Sequence, residues 1–377
     1  MEYQRLGDYI REVNVRNREL KVTKPMGINI DKHFMPSVAN VIGTDLSNYK
    51  VIRKEQFACS LMQVSRDGKM PVAMFEEDEA IMSPAYPMFE VIDKTALMPQ
   101  YLMMWFSRSE FDREASYYAV GGVRGSLTWE DFCNMRLPIP SITRQREIVS
   151  EYETLTNRIR LNNQMIQNLE ATAQALYRKT FVDNIDKENL PEGWRMGTIQ
   201  EFCKEMKSGG TPSRNHNEYW NKQDYPWLKS GEVHNNIIVS VEEYISQSGL
   251  DNSSAKIIPQ GSVIMAMYGA TAAQVAYLDC DTTTNQACCN MICNSKEDAA
   301  YLFFHLLANQ DDIKKLANGG AQENLSQELI AQQPVLIICD NKVKYLFVPI
   351  LDNLIVRYKE NIKLTELQSL LLAKMGQ

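Results

Sequence analysis

The sequence predicts an α+β protein in which two mixed α/β blocks form a pseudo-twofold repeat, separated by a pair of long antiparallel coiled-coil helices. Three observations carry that prediction: a repeat at a spacing of about 200 residues, a heptad-patterned stretch after each block, and strand-bend-strand patterning inside the second block. A chain of 377 residues is also too long for one ordinary core, which favours two domains or a repeated unit.

The repeat is clearest where residues 121–140, GGVRGSLTWEDFCNMRLPIP, align with residues 319–338, GGAQENLSQELIAQQPVLII. Leu127 then falls on Leu325, Thr128 on Ser326 and Phe132 on Ile330. The same spacing carries Asn163 onto Asn361 and Leu169 onto Leu367. Upstream, YLMMWF at 101–106 matches YLFFHL at 301–306, and SPAY at 83–86 sits where NQAC sits at 285–288. The identities are sparse, but they occur in one shared order.

The first block is read as residues 1–140 and ends in LPIP, a proline-stiffened extended segment after which Ser141 or Thr143 can cap a helix. A first long spacer helix is expected over 141–183. Its apolar residues Ile148, Tyr152, Leu155, Ile159, Ile166, Leu169, Ala173 and Leu176 advance in steps of four and three, broken by Asn162. The second block is read as 184–340, where GSVIMAMYGATAAQVAYLDC forms two strands around a bend at Tyr268 and Gly269. A second long spacer helix follows over 341–377, with a less regular seam of Phe347, Leu351, Leu354, Tyr358, Leu364, Leu367 and Leu371 and a phase slip at Asn361. A helix of about 40 residues is roughly 60 Å long. An antiparallel pairing of two such helices is expected to place the blocks at opposite ends of a rod; a dimerisation helix is the simpler alternative. Asn162 and Asn361 lie near the helix midpoints and are expected to fix the helix register. Replacing Asn162 with Leu is expected to raise thermal stability and loosen that register.

Hydrophobic residues at 44% and charged residues at 23% are globular values. No apolar run approaches the ~20 residues of a membrane span and the start is not a signal peptide, so a cytoplasmic protein with no membrane partner is expected. The eight cysteines are dispersed, and no Cys-x2-Cys pair meets a second pair at ligand spacing, so reduced thiols and no metal are expected. The net charge of -7 argues against unaided nucleic-acid binding. The acidity is local: residues 184–340 hold 11 Lys and Arg against 20 Asp and Glu. Within that block Lys204, Lys207 and Arg214 gather, with Lys229 further on, giving a basic loop on an acidic body.

Catalytic signals fail in turn. Gly209 and Gly210 are not followed by the Gly-Lys-Ser/Thr of a P-loop, and no G-x-G-x-x-G follows a strand. SPAY is superficially similar to the tetrapeptide of amino-methylating DNA methyltransferases but lacks its second proline and a glycine-rich cofactor motif upstream. None of the histidines, His33, His216, His234 and His305, sits in a nucleophile context. The sequence therefore points to a non-catalytic binding module.

Five stretches together resemble the specificity subunit of type I restriction-modification systems. These are the P-x-x-x-x-Q-R-E-I-V helix start (Pro140, Gln145 to Val149), LPEGW at 190–194, SGGTPS at 208–213, GSVIMAMYGATAAQVAYL at 261–278, and TNQA at 284–287. The resemblance covers nearly the whole chain. It implies two target recognition domains, each gripping one half of a split, asymmetric sequence in double-stranded DNA, with the helices fixing the spacing and docking two methyltransferase subunits. An ATP-dependent restriction subunit can join them. S-adenosylmethionine, ATP and Mg are expected on those partners, with no cofactor in this chain. The first block departs from the pattern: after LGDYI it has REVNVRNRELKV at 11–22 instead of a GGTPS loop. A specificity subunit of a fused type II system, or a coiled-coil adaptor that binds no DNA, are the alternatives.

Candidate DNA contacts in the second block are Lys207, Thr211, Ser213, Arg214, Asn215, Lys229, Tyr268 and Thr271. In the first block they are Arg16, Asn17, Arg18, Arg66 and Arg124. Arginine pairs bidentately with guanine and asparagine with adenine, while Lys, Ser and Thr suit phosphates. Trp194, Trp220 and Trp227 are read as core anchors.

Overall fold

Short strands bounded by turn residues build each globular part, and the heptad stretches form helices over Ile142–Phe181 and Val348–Lys374. The computed structural model describes residues 3–38, 43–62, 64–120, 125–183, 185–186, 188–317 and 324–376. The chain divides into two compact units, one of residues 1–159 with 363–377 and one of 160–362, so each unit holds a stretch of both long helices.

In the first unit Tyr3–Arg5 pairs antiparallel with Arg136–Pro138, closing the chain's first strand against the last one before the long helix. A four-stranded antiparallel sheet runs Ile10–Glu12, Met88–Val91, Phe57–Cys59, Val72–Met74. A second runs Phe34–Pro36, Pro25–Ile28, Glu79–Met82, Lys50–Arg53, with its middle pair parallel. Phe57 and Phe89 are cross-strand partners whose rings stack at 5.0 Å, and Phe106 and Phe132 pack edge-on or tilted against them. Val149 from the first long helix and Met375 enter the same core, with Tyr152 and Leu372 against it. Gln145, from the quoted helix start, is fully buried. Its Oε1 accepts from the Met98 amide and its Nε2 donates to the Ala96 and Pro140 carbonyls, so this one side chain fastens the helix start to the preceding loop.

In the second unit Trp194–Thr198 pairs antiparallel with Pro334–Ile338. A five-stranded sheet follows the order Glu205–Ser208, Cys288–Ile292, Val263–Ala266, Val275–Leu278, Asn236–Ile238. A four-stranded sheet follows Glu243–Ile245, Tyr225–Leu228, Thr282–Thr284, Ile257–Ile258. Val263–Ala266 and Val275–Leu278 are antiparallel neighbours across the expected bend, where Gly269 takes φ +73°. The helix Lys296–Ala308 is buried along most of its length and receives Ala173, Tyr177 and Phe181 from the first long helix, Leu351 from the second and Phe347 from the turn just before it. The Tyr177 hydroxyl lies 2.7 Å from His305 Nδ1, and burial holds the His305 imidazole down to about 4, neutral at physiological pH.

Positions aligned by the repeat carry like roles. Leu127 and Leu325 are both buried, and so are Phe132 and Ile330. Thr128 and Ser326 both cap short helices, accepting from the Asp131 and Leu329 amides. The seams depart from expectation in two places. Tyr177 and Phe181 are buried beyond Ala173 while Leu176 is only partly so, because the Lys296–Ala308 helix takes the two aromatic rings. Leu367 is exposed, and past Asn361 the packed face passes through Gln368, Leu372 and Met375 instead. Cys59, Cys288 and Cys289 are buried strand residues. Among the described residues no cluster of His, Cys, Asp and Glu is arranged to hold a metal, and no helix is long and apolar enough to cross a membrane.

Candidate nucleic-acid interface

The glycine pair that opens SGGTPS is demanded by close backbone approach. A Cβ on Gly209 would lie 2.2 Å from the carbonyls of Thr284 and Asn285, and one on Gly210 would lie 2.4 Å from the Ser254 carbonyl carbon. The Gly210 amide donates to the Thr284 carbonyl at 2.8 Å, and Thr211 Oγ1 bonds the Gln286 side chain. Two motifs far apart in sequence, SGGTPS and TNQA, are thus clamped together. Asn290 supports the clamp from within the sheet, its Nδ2 donating to Thr284 Oγ1 and to the Lys207 carbonyl.

Past the clamp, Pro212 is buried while Ser213, Arg214 and Asn215 are exposed. Trp227 is 3% exposed and donates from Nε1 to the Gly210 carbonyl; the half-buried Trp220 donates to the Ser213 carbonyl. Trp227 is a core anchor as expected, whereas Trp220 presents a face to the loop. The Arg214 guanidinium lies over that face, 3.5 Å from the ring centroid, and is ion-paired to Glu243 at 2.6 Å. Lys229 bridges Glu242 at 2.7 Å and Glu243 at 3.1 Å. Arg214, followed by Lys229, holds the Glu243 carboxyl below the usual carboxylate range, and the Glu242 and Glu243 hydrogen bonds raise Lys229. Thr271 donates to the Ser230 carbonyl, one residue from Lys229.

Thr211, Ser213, Arg214, Lys229 and Thr271 are therefore gathered by bonds within one region, and Asn215 follows Arg214 exposed on the same loop. Tyr268 is 44% exposed on the bend and its neighbour Met267 donates to the Ala287 carbonyl of TNQA. Lys207 is set apart, on the Glu205–Ser208 strand with its ammonium 2.8 Å from Glu205. Sequence reasoning missed Glu243, Glu242 and Gln286. No spacing rule ties a strand carboxylate to a loop arginine 29 positions earlier, and only the fold of the Glu243–Ile245 strand against Tyr225–Leu228 joins them.

The first-block candidates are less united. Arg16 donates to the Asn48 carbonyl at 2.6 Å and bridges Lys50 through the backbone. Asn17 departs from its expected place at the surface. It is 4% exposed, with Nδ2 donating to the Val22 carbonyl and Oδ1 accepting the Val22 amide, so its amide closes the loop and has no edge left for a base. Arg18 is exposed, Arg66 pairs with Asp67 beside it, and Arg124 lies outside the described residues. Lys50, which the sequence did not single out, is buried and donates to the Tyr86 carbonyl of SPAY at 2.8 Å. Burial lowers its ammonium. SPAY lines a cavity of about 340 Å³ with Met26, Met35, Tyr49 and Met62.

The two helix asparagines meet within the second unit. Asn162 is 2% exposed and its Nδ2 donates to Asn361 Oδ1 at 2.9 Å, while Asn361 Nδ2 donates to Asn163 Oδ1 at 2.8 Å. Arg357 donates to Asn162 Oδ1 at 3.3 Å. With Tyr177 and Phe181 against Phe347 further along, the two helix stretches of this unit run antiparallel.

Residues 191–364, which contain the clamp, match the family described as type I restriction modification DNA specificity domain. The type I restriction enzyme HindI specificity subunit of Haemophilus influenzae is 23% identical over 369 residues, spanning 76% of this chain and 79% of that protein. The EcoR124I/EcoR124II specificity subunit of Escherichia coli is 23% identical over 285 residues, spanning 69% of this chain and 67% of its own. In fold, the chain is similar to the crystal structure of a type I restriction-modification system S subunit from M. genitalium, with a TM-score of 0.62 at 12% identity, covering 100% of this chain and 96% of the other.

Proposed function

We propose that the chain, whose residues 191–364 match the type I restriction modification DNA specificity domain and which is 23% identical to two type I specificity subunits, is itself a specificity subunit, the sequence-reading subunit of a DNA methylation and cleavage complex. Residues 1–140 and 184–340 act as two target recognition domains in pseudo-twofold repeat, each reading one half of a bipartite, asymmetric duplex target. The coiled-coil helices, 141–183 and 341–377, set the spacing and dock two methyltransferase subunits, to which an ATP-dependent restriction subunit adds. The chain performs no chemistry itself; S-adenosylmethionine, ATP and Mg act on the partner subunits, and the complex works in the cytoplasm.

The observation that carries this reading is that the family match spans the clamp of SGGTPS on TNQA, beside an exposed Arg214 held on Trp220. The pseudo-twofold is supported by the helix asparagines. Asn163 and Asn361 are repeat equivalents, and they face one another across the helix pair. A residue and its repeat mate meet in this way on a twofold axis, so we assign Asn162 and Asn361 to fixing the register about it. The reading is tested by gel shift with a mixed-sequence duplex library and the full chain bound to its methyltransferase subunits. Selection of one bipartite sequence is expected, and binding without sequence selection overturns the reading in favour of a protein adaptor.

A further inference from the structure

We propose that Glu243 is the positioning residue that sets base selectivity in the second block, by holding Arg214 over Trp220 with one edge of its guanidinium left to meet a guanine. The inference rests on the DNA-recognition reading above and goes on to assign a residue and a base.

A guanidinium has two bidentate edges, Nη1 with Nη2 and Nε with Nη2. The Glu243 carboxylate takes Nη1 at 2.6 Å, which removes the first edge. With the closest carboxylate contact on Nη1, the Nε and Nη2 edge is the one left to a further acceptor. Two parallel donors on one edge match the two major-groove acceptors of guanine, O6 and N7; adenine offers one acceptor and one donor there. The guanidinium is supported by two aromatic rings. Arg214 lies 3.5 Å from the Trp220 centroid and 5.0 Å from that of Trp227, and the two rings stand at 86° to each other. Each indole is tied to the loop backbone through its own N–H, at Ser213 and at Gly210. Glu243 is the cross-strand partner of Trp227, so its carboxylate is anchored to the same platform as the rings. The Arg214 side chain remains 52% exposed, so the stack orients it without hiding it. The other Glu243 oxygen holds Lys229 at 3.1 Å, and one carboxylate thereby fixes the separation of two cations.

The arrangement makes an unusual prediction of sign. Removing Glu243 releases Arg214 to seek phosphates and leaves Lys229 held by Glu242 alone, so selectivity falls while non-specific attraction rises. A residue with a merely structural role would lower both. The test is selection from a mixed-sequence duplex library, with salt titration, by the full chain in complex with its methyltransferase subunits. Arg214→Ala and Glu243→Ala are expected to lose preference for the same single G·C pair in one half-site, by about 10- to 100-fold. Glu243→Ala is further expected to bind unselected duplex more tightly than wild type, with a steeper salt dependence. Glu243→Gln keeps an acceptor for Nη1 and is expected to restore part of the preference. Retention of the G·C preference in Glu243→Ala, or a parallel loss of selective and non-specific binding, overturns the assignment while leaving DNA recognition in place. A wild-type complex that selects no sequence removes both.

Discussion

Gly209 and Gly210 show how much of the interface is decided by the absence of a side chain. The sequence shows no P-loop lysine after them, and that part is legible from the residues that follow. What was not legible is the surface that forbids a Cβ, because Thr284, Asn285 and Ser254 reach the loop only through tertiary folding. Gly210→Ala is expected to destabilise the chain by about 1–3 kcal/mol in urea denaturation, since backbone atoms of residues 254 and 255 cannot step aside as a flexible side chain can. Gly231, one strand further on, has nothing within 4 Å of an added Cβ. Gly231→Ala is expected to leave the midpoint within about 0.5 kcal/mol of wild type, and an equal loss in both variants would dissociate the clamp from close approach. Asn17 marks the limit of reasoning by residue type. Asparagine suits adenine, but it suits a loop carbonyl and amide five residues away equally well, and here Val22 takes both.

Among the elements, the long helices were readable because a heptad seam of four-three steps has few other uses. The first starts at Ile142 after its proline-rich lead-in, as expected, whereas the second starts at Val348 and not at 341: a short helix Asn341–Tyr345 ends before it, and Pro349, which has no amide to donate, sits in the first turn of the long one. The phase near Tyr177 was unreadable, since it depends on the Lys296–Ala308 helix that packs there and on no neighbour in sequence. The partner of Asn162 changes the stability argument as well. A lone buried asparagine would be improved by leucine, but Asn162 bonds both Asn361 and Arg357. The Arg357 side chain is 18% exposed, and loss of its acceptor leaves a largely buried cation with one bond fewer. Asn162→Leu is therefore expected to lower stability by about 1–2 kcal/mol, the reverse of the sequence expectation. A double-mutant cycle with Asn361→Leu is expected to return a coupling of about 0.5–1.5 kcal/mol; additivity of the two changes would mean that the bond carries no register information.

Over the whole molecule, the alignment of residues 121–140 with 319–338 has a local counterpart in the structure, because order along the chain survives when identity does not. Thr128 and Ser326 differ in sequence but perform the same cap, and Leu127 and Leu325 are buried beside them. The distribution of charge was only half legible. Counting found the basic loop on an acidic block, yet not that Arg214 and Lys229 are already paired to carboxylates. Such pairing lowers the cation available to phosphates, so the net charge of -7 is consistent with a chain that reads DNA through a few oriented groups and relies on partners for attraction. Each unit has its own core, with Phe57, Phe89 and Phe132 in one and Tyr301, Phe303 and Phe347 in the other. Arg16→Ala and Arg214→Ala are expected to weaken opposite halves of the target. Combined in one chain, their costs in binding free energy are expected to add within about 0.5 kcal/mol, measured by competition against duplexes altered in one half at a time. A departure from additivity of 1 kcal/mol or more would mean that the two blocks grip the duplex as one cooperative surface, and the division into two independent readers would have to be abandoned.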